Sequence, residues 1–454
     1  MSKPKSDWSR RKFLKTLGTG GAIALGTAAA TAVRVAAADG IDPEGRARSS
    51  HSHEYPDVLP GFVKHLEPQE GYLGTTQLLG GLELFDEREH GFAQTVRRTS
   101  QKDWSGKWGE AILAAVQEKN AYVAAMSSEE KEDLTWATAI VNASDQIHVN
   151  MRYQHWEQIP IAASKLELPA AEMTAKIKKV AKWYGAEMVG VAEINEAMRP
   201  FVYKIGRTQG TYRGGWPGYE DPGRDIPWPY PYKYCIVCGN FEDLQTAKAN
   251  TGGLNNISVA TECSDNDIYP IYLETVIRQL GWDAKAQPFA NKDIMEGPFA
   301  VAAGLGEQGR SGLVVSPWGA HVRFYEVLTN MPLVPDKPID FGLRDFCRVC
   351  KKCADNCPSG AISKETEPAE VMTTTKRLGW EWNAYKCMAY RISYGCSTCA
   401  VVCPFSKPDS SLHTIGRFLA TQKPIQSALV KIDDTFYGRF PKPRQMDKWA
   451  PWRV

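Results

Sequence analysis

The chain has 454 residues and a formal net charge of +2, with 43% hydrophobic and 23% charged residues. That near-neutral balance gives no electrostatic case for nucleic acid, which demands a concentrated basic surface. The hydrophobic fraction is that of an ordinary globular protein with a sizeable core, and the length suggests about two or three domains.

The first segment, residues 1–38, reads Ser9-Arg10-Arg11-Lys12-Phe13-Leu14-Lys15 followed by a small-residue apolar stretch to Ala38. A basic start, a weakly apolar middle and small residues at the end make a twin-arginine export signal, with Ala36 and Ala38 fitting an A-x-A cleavage site before Asp39. Its glycines between Gly18 and Gly26, together with Arg34, leave it too weakly apolar to act as a membrane anchor. No later segment reaches 18 apolar residues, so the mature chain is expected not to span a membrane.

Residues 39–165 begin polar and loop-like and become mostly helical from about residue 100. A core region follows over 166–339. Ala170 to Tyr184 places Met173, Ile177, Val180 and Ala181 on one face and ends at Gly185, so a helix is expected there. Glu187 to Ile194 reads as a buried strand, and helix followed by strand points to an α/β layer. Residues 207–233 form a long irregular loop rich in Gly, Pro, Trp and Tyr, of the kind that covers a functional site.

Tyr234 to Gly239 reads as the next buried strand. It carries Cys235 and Cys238, which strand alternation sets on opposite faces, so they are expected to be buried thiols rather than a redox pair. A helix is expected over Ile268 to Leu280 with Gly281 as its stop. Gly312 to Ser316 and Val322 to Leu328 read as further strands.

The last quarter carries the strongest signal. Cys347, Cys350, Cys353 and Cys357 stand in a C-x2-C-x2-C-x3-C-P run, and Cys387, Cys396, Cys399 and Cys403 form a second run that also closes on Cys-Pro. Zinc sites use paired C-x2-C units, and disulfides have no reason to repeat this spacing. In two-cluster ferredoxins the fourth cysteine of each run ligates the other run's cluster. Cys347, Cys350, Cys353 and Cys403 are therefore expected to hold one [4Fe–4S] cluster, and Cys357, Cys387, Cys396 and Cys399 the other. The second run has eight residues between Cys387 and Cys396, which makes Cys387 its least regular ligand. This ferredoxin-like module spans about 340–410, and a Pro- and Trp-rich extension covers 411–454. Clusters are built in the cytoplasm, and the twin-arginine route exports folded, cofactor-loaded proteins, so the two ends of the chain are consistent with each other.

Over nearly its whole length the chain resembles the reductive dehalogenases. The resemblance rests on the twin-arginine signal, GAEMVGVAEI at 185–194, IRQLGWDA at 277–284, AVAAGLGEQGRSGLVVSPWGAHVR at 300–323, and MPLVPDKPIDFG at 331–342 running into the first cysteine block. It implies a nitroreductase-like α/β core binding a base-off corrinoid (cobalamin) beside two [4Fe–4S] clusters. It also implies reductive removal of halogen from a small organohalide in organohalide respiration. The expected setting is the outer face of the cytoplasmic membrane, with a small integral-membrane anchor protein and a membrane electron donor as partners. None of the eight histidines sits in an Asp-x-His-x-x-Gly motif, which agrees with a corrinoid lacking a histidine lower ligand.

By motif the resemblance implies Arg323 as the active-site arginine and Asn291 near the substrate. The family's proton-donating tyrosine is not matched: counting back from Arg278 lands at Cys263 and Ser264, and Tyr269 or Tyr272, one to three turns on, is left as the donor, with Tyr269 slightly favoured. An adjacent Arg323 would stabilise its phenolate. Gly304, Gly306 and Gly309 either let backbone approach the corrinoid or make tight turns. Trp104, Trp108, Tyr212 and Trp216 either line the pocket or simply pack. Two other readings stand beside this one: an epoxyqueuosine-reductase-like corrinoid enzyme acting on tRNA, and a non-catalytic ferredoxin-type electron-transfer subunit.

Overall fold

The computed structural model describes residues 59–80, 84–153, 158–207, 223–249, 254–288, 292–372, 376–407 and 411–441. The twin-arginine segment, Tyr212, Trp216 and Asn291 lie outside them, as does most of the loop expected at 207–233.

The centre is a four-stranded sheet of β1 (Met188–Glu193), β2 (Tyr234–Phe241), β3 (Ala284–Gln287) and β4 (Val322–Thr329), in the order β1-β2-β4-β3. Every pairing is antiparallel, with Arg323 opposite Asn240 and Thr329 opposite Tyr234. The mixture of helix and strand is as expected, but the helix–strand alternation does not build parallel crossovers. β2 is central and covered on both sides, which is why its Tyr-Cys-Ile-Val-Cys run is almost continuously apolar.

Alternation along the strands divides the core in two. Cys235, Val237, Phe241, Phe324 and Leu328 face one layer with Met198, Phe201 and Phe299. Ile236, Cys238, Tyr325 and Val327 face the other with Met173, Ile177, Leu273 and Ile277. Cys235 and Cys238 thus lie on opposite faces, fully buried, as the pleat requires.

The second layer is closed by α4 (Ala170–Trp183) and α5 (Asn256–Gln279). α5 begins twelve residues earlier than its apolar periodicity suggests. Its first half buries Ser258, Ser264, Asn266 and Asp267 instead of aliphatic side chains, and Pro270, which reads like a helix start, lies inside it. Gly281 ends it at φ +84°, a left-handed conformation that favours glycine. On the other face of the sheet sits α6 (Glu296–Ala302).

Among the described residues, three α-helices precede α4: α1 (Gly91–Gln101), α2 (Gly106–Ala125) and α3 (Ser128–Tyr153). α3 packs along α5, while α1 and α2 pack on α8 (Ala384–Tyr394) of the cysteine-rich region, so the N-terminal helices touch both the sheet layer and the cluster module. α7 (Leu343–Cys350) opens that module, and α9 (Ser411–Ala420) and α10 (Gln426–Tyr437) close it. Phe341, Phe346, Phe405, Ala420 and Val430 share one core, so 411–437 packs as part of the module. Each buried phenylalanine there contributes about 1.5–3 kcal/mol. Buried Lys352 joins the same pieces through a 2.5 Å ion pair to Asp433 of α10. Among the described residues no helix is long and apolar enough to cross a membrane.

Candidate active site

The two cysteine runs are brought together as the interleaved spacing requires. Cys347, Cys350, Cys353 and Cys403 line a single cavity together with Gly309, Arg310, Phe346, Cys399 and Pro404. Cys387, Cys396, Cys399 and Cys357 are mutual neighbours in a second group. Turns local to the sequence set the geometry: Lys351, left-handed at φ +53°, separates α7 from the short helix Lys352–Asp355 and turns Cys353 back toward Cys347 and Cys350.

Burial pushes the Cys403 thiol up to about 12 and that of Cys387 to about 11, so these two would resist ionising alone. Iron supplies the positive charge that makes such buried thiolates affordable. Among the described residues no three His, Cys, Asp or Glu side chains converge tightly enough for a single metal ion. A cubane needs its sulfurs spread around a volume, which is the arrangement around the cavity, and the donor set therefore fits an iron–sulfur cluster.

A second polar centre occupies one end of the sheet. Arg323 is the second residue of β4, and its Nε lies 2.6 Å from Oε1 of Glu242, the residue after β2. Burial opposes its charge, but Glu242, Cys263 and Glu296 more than offset that and hold it firmly cationic. From α5, Glu262 approaches the same arginine. Burial, then Asp265, Glu187 and Glu242, pushes its carboxyl well above the usual range against the opposing pull of Arg323.

Along α5, Asn255, Ser258, Glu262 and Asn266 are spaced three, four and four residues apart and so share one face. Each has a buried oxygen with no hydrogen-bond partner: Asn255 Oδ1, Ser258 Oγ, Glu262 Oε2 and Asn266 Oδ1, joined across the sheet end by Glu242 Oε2. At the start of this stripe the Asn255 amide faces Ser397 of the cluster module at 3.4 Å. A row of unsatisfied buried acceptors is rare in a folded protein and marks a place where a donor-rich group belongs. A corrinoid, whose rim carries amide side chains, offers such donors, so these residues fit it.

Several expectations are revised. Tyr272 turns away from Arg323: it is 45% exposed and stacks on Tyr184 at 5.0 Å. Tyr269 packs against Tyr325, which lies on the same face of β4 as Arg323. Its hydroxyl is bonded to Asp265, one helical turn back, rather than supported by Arg323; burial, then Asp265 and Glu262, raises its pKa. An acid-rich neighbourhood makes it a poorer acid, the reverse of the effect expected from an adjacent guanidinium.

Gly304 and Gly306 face protein: a Cβ at either would stand 2.5 Å from a backbone oxygen, that of Lys337 or Val315. Close chain packing accounts for both, while Gly309 borders the cysteine cavity. Trp104 packs with Ile112 and Ala115, and Trp108 meets Tyr385 edge-on at 5.9 Å. Glu242, Glu262 and Asp265 were not singled out in the sequence. The only pointer was that gapless counting lands on Cys263, beside Glu262.

Comparison with known proteins agrees with this arrangement. Residues 346–406 match the family described as a 4Fe-4S double cluster binding domain. The tetrachloroethene reductive dehalogenase of Sulfurospirillum multivorans is 35% identical over 274 residues, 53% of this chain and 52% of that protein. That of Desulfitobacterium hafniense is 31% identical over 323 residues, 62% of this chain and 58% of that protein. The chain thus spans about half the length of the curated relatives it matches. The solved catabolic reductive dehalogenase NpRdhA superposes with a TM-score of 0.64 over 85% of this chain and 50% of that one, at 19% identity. A shorter stretch of 129 residues, 27% of this chain, is 32% identical to the epoxyqueuosine reductase of Bacillus subtilis. The resemblance first seen in the motifs is thus matched in sequence and in fold: over about half their length the chain is similar to tetrachloroethene reductive dehalogenases, and it shares the fold of a solved reductive dehalogenase.

Proposed function

We propose that this chain is a reductive dehalogenase that uses a base-off corrinoid and two [4Fe–4S] clusters to replace halogen by hydrogen in, or eliminate it from, a small organohalide. The observation that carries the reading is the continuity between the two centres. The cysteine module meets α5 at Asn255, and the same helix leads, through its row of unpaired acceptors, to Glu262 and Arg323. The named activity of the relatives, and one solved structure of this fold described in terms of B12-dependent dehalogenation, support the same reading. The antiparallel sheet with α4, α5 and α6 would be the nitroreductase-type corrinoid core.

A bound corrinoid would supply a low-potential metal centre able to cleave a carbon–halogen bond, chemistry that no side chain offers. The protein's residues do the rest. Asn255, Ser258, Asn266 and Glu242 offer acceptors to the corrinoid's rim amides. Arg323, fixed in direction by Glu242, stays cationic and stabilises charge on the departing halide. Glu262, whose carboxyl burial biases toward the protonated form, would supply a proton beside it, and the Asp265–Tyr269 pair lies one to two turns further along the same helix. Export by the twin-arginine route, and attachment to the outer face of the cytoplasmic membrane through a small anchor protein that links the enzyme to a membrane electron donor, complete the proposal.

The test is anaerobic assay of the reconstituted protein with a reduced viologen against chlorinated ethenes, alkanes and aromatics, together with cobalt, iron and sulfide analysis. Halide release from a protein carrying cobalt and both clusters is expected. Iron and sulfide without cobalt, and no halide release, would leave the electron-transfer subunit as the better reading. The match to epoxyqueuosine reductase is covered by adding a modified tRNA stem loop to the substrate panel: turnover of it alone would replace the proposal.

A further inference from the structure

Arg310 is a fully buried cation with no acidic partner. It is 1% exposed, yet among the described residues no carboxylate lies within ion-pair distance of it. Its guanidinium donates only to backbone: Nε and Nη2 to the carbonyl of Cys347 at 3.1 and 2.9 Å, and Nη1 to those of Ser363 and Glu365 at 2.9 and 2.6 Å. It stacks on the Trp380 ring at 4.5 Å, and it lines the cavity formed by Cys347, Cys350, Cys353 and Cys403. Neutral carbonyls accept four hydrogen bonds from it but leave its charge without an ion-pair partner, Asp355 acting on it only from a distance, and burying a charge without a close counter-charge is costly. The anion that completes this arrangement belongs in the cavity.

We infer that Arg310 is the built-in counter-charge of the cluster held by Cys347, Cys350, Cys353 and Cys403, and that it sets that cluster's reduction potential. Each electron accepted makes a thiolate-bound cluster one unit more negative. A fixed cation at its edge therefore stabilises the reduced form more than the oxidised form and raises the potential. The low-dielectric surroundings and the rigid clamp on three carbonyls keep that cation from being screened or swung away. The thiols whose charges reach Arg310 most strongly are Cys347, Cys353 and Cys350, all of the first group, so the effect is expected to fall mainly on that cluster. Arg310 is a positioning residue: it touches the ligand-bearing helix α7 through the Cys347 carbonyl, not the substrate.

The inference rests on the two-cluster reading above, and iron and sulfide analysis of the wild-type holoprotein tests that reading separately. The inference itself is tested by EPR-monitored redox titration of the wild type, R310Q and R310K. In R310Q one cluster's midpoint is expected to fall while the other stays in place, with iron content retained. R310K, which keeps the charge but cannot clamp three carbonyls, is expected to hold the wild-type midpoint. Unchanged midpoints in R310Q, or a fall in R310K as large as in R310Q, would overturn the assignment. Should R310Q lose the cluster outright, R310K decides alone: a wild-type midpoint supports the charge role, and a lowered one refutes it.

Discussion

The cysteine module and the Arg323 end of the sheet are both sites built from buried polar atoms, yet only the first announces itself in the sequence. Coordination bonds have fixed lengths and angles, so the ligands must recur at fixed offsets, and Cys347, Cys350 and Cys353 do. The Arg323 centre is assembled from α5, β2 and β4 by tertiary contact, and no spacing rule ties Glu242, Glu262 and Arg323 together. Metal sites are written locally, whereas a polar pocket for a large organic cofactor is written in the fold.

The largest test of that contrast is loss of a ligand. Cys350→Ala is expected to remove one cluster and abolish turnover, with half the iron and sulfide gone; full metal content would break the ligand assignment. Next, Arg323→Leu is expected to lower dehalogenation about 100- to 1,000-fold, with both clusters retained by EPR. Undiminished turnover would take Arg323 out of the chemistry and leave only the cysteine module as a functional centre.

The proton source sharpens the comparison further. Glu262→Gln is expected to reduce kcat about 100-fold, Tyr269→Phe roughly tenfold, and Tyr272→Phe not at all, because it stacks on Tyr184 away from Arg323. Equal wild-type rates in the first two would mean that the proton comes from elsewhere.

The smallest effect concerns stability. Glu307 is buried against the backbone N–H groups of Phe341 and Leu343, and burial pushes it up to about 7 from 4.5. The folded state then holds a proton that the unfolded state releases. The stabilisation is complete below about pH 4.5 and is lost as pH rises through about 7. Chemical denaturation should show this fall, up to roughly 3 kcal/mol, and Glu307→Gln should flatten it; an unchanged slope would mean that another group titrates.

The strands and helix stops were legible for ordinary reasons. β2 shows a buried apolar run, α4 a clean apolar face, and Gly185 and Gly281 end their helices at positive φ. The first half of α5 was not legible because it violates the rule on which helix reading depends: its buried side is polar. That violation is itself informative, since sequence rules tend to fail where function has replaced packing. The glycines misled in the opposite way. Gly304 and Gly306 look like room left for a ligand, but two stretches of chain already fill that space. The donor tyrosine was sought by position along the helix, and the chemistry around Tyr269 depends on Asp265, a residue that no motif flags.

The continuity of α5 has an engineering consequence. At about 1.5 Å per residue, the seven residue steps from Asn255 to Glu262 make a rod of about 10 Å that, in the proposed enzyme, would fix how far the cluster module stands from the Arg323 centre. A substitution on this rod perturbs one rung. A single inserted residue would turn everything beyond it by about 100°, so natural variation in substrate range should accumulate in side chains here while the helix length stays constant.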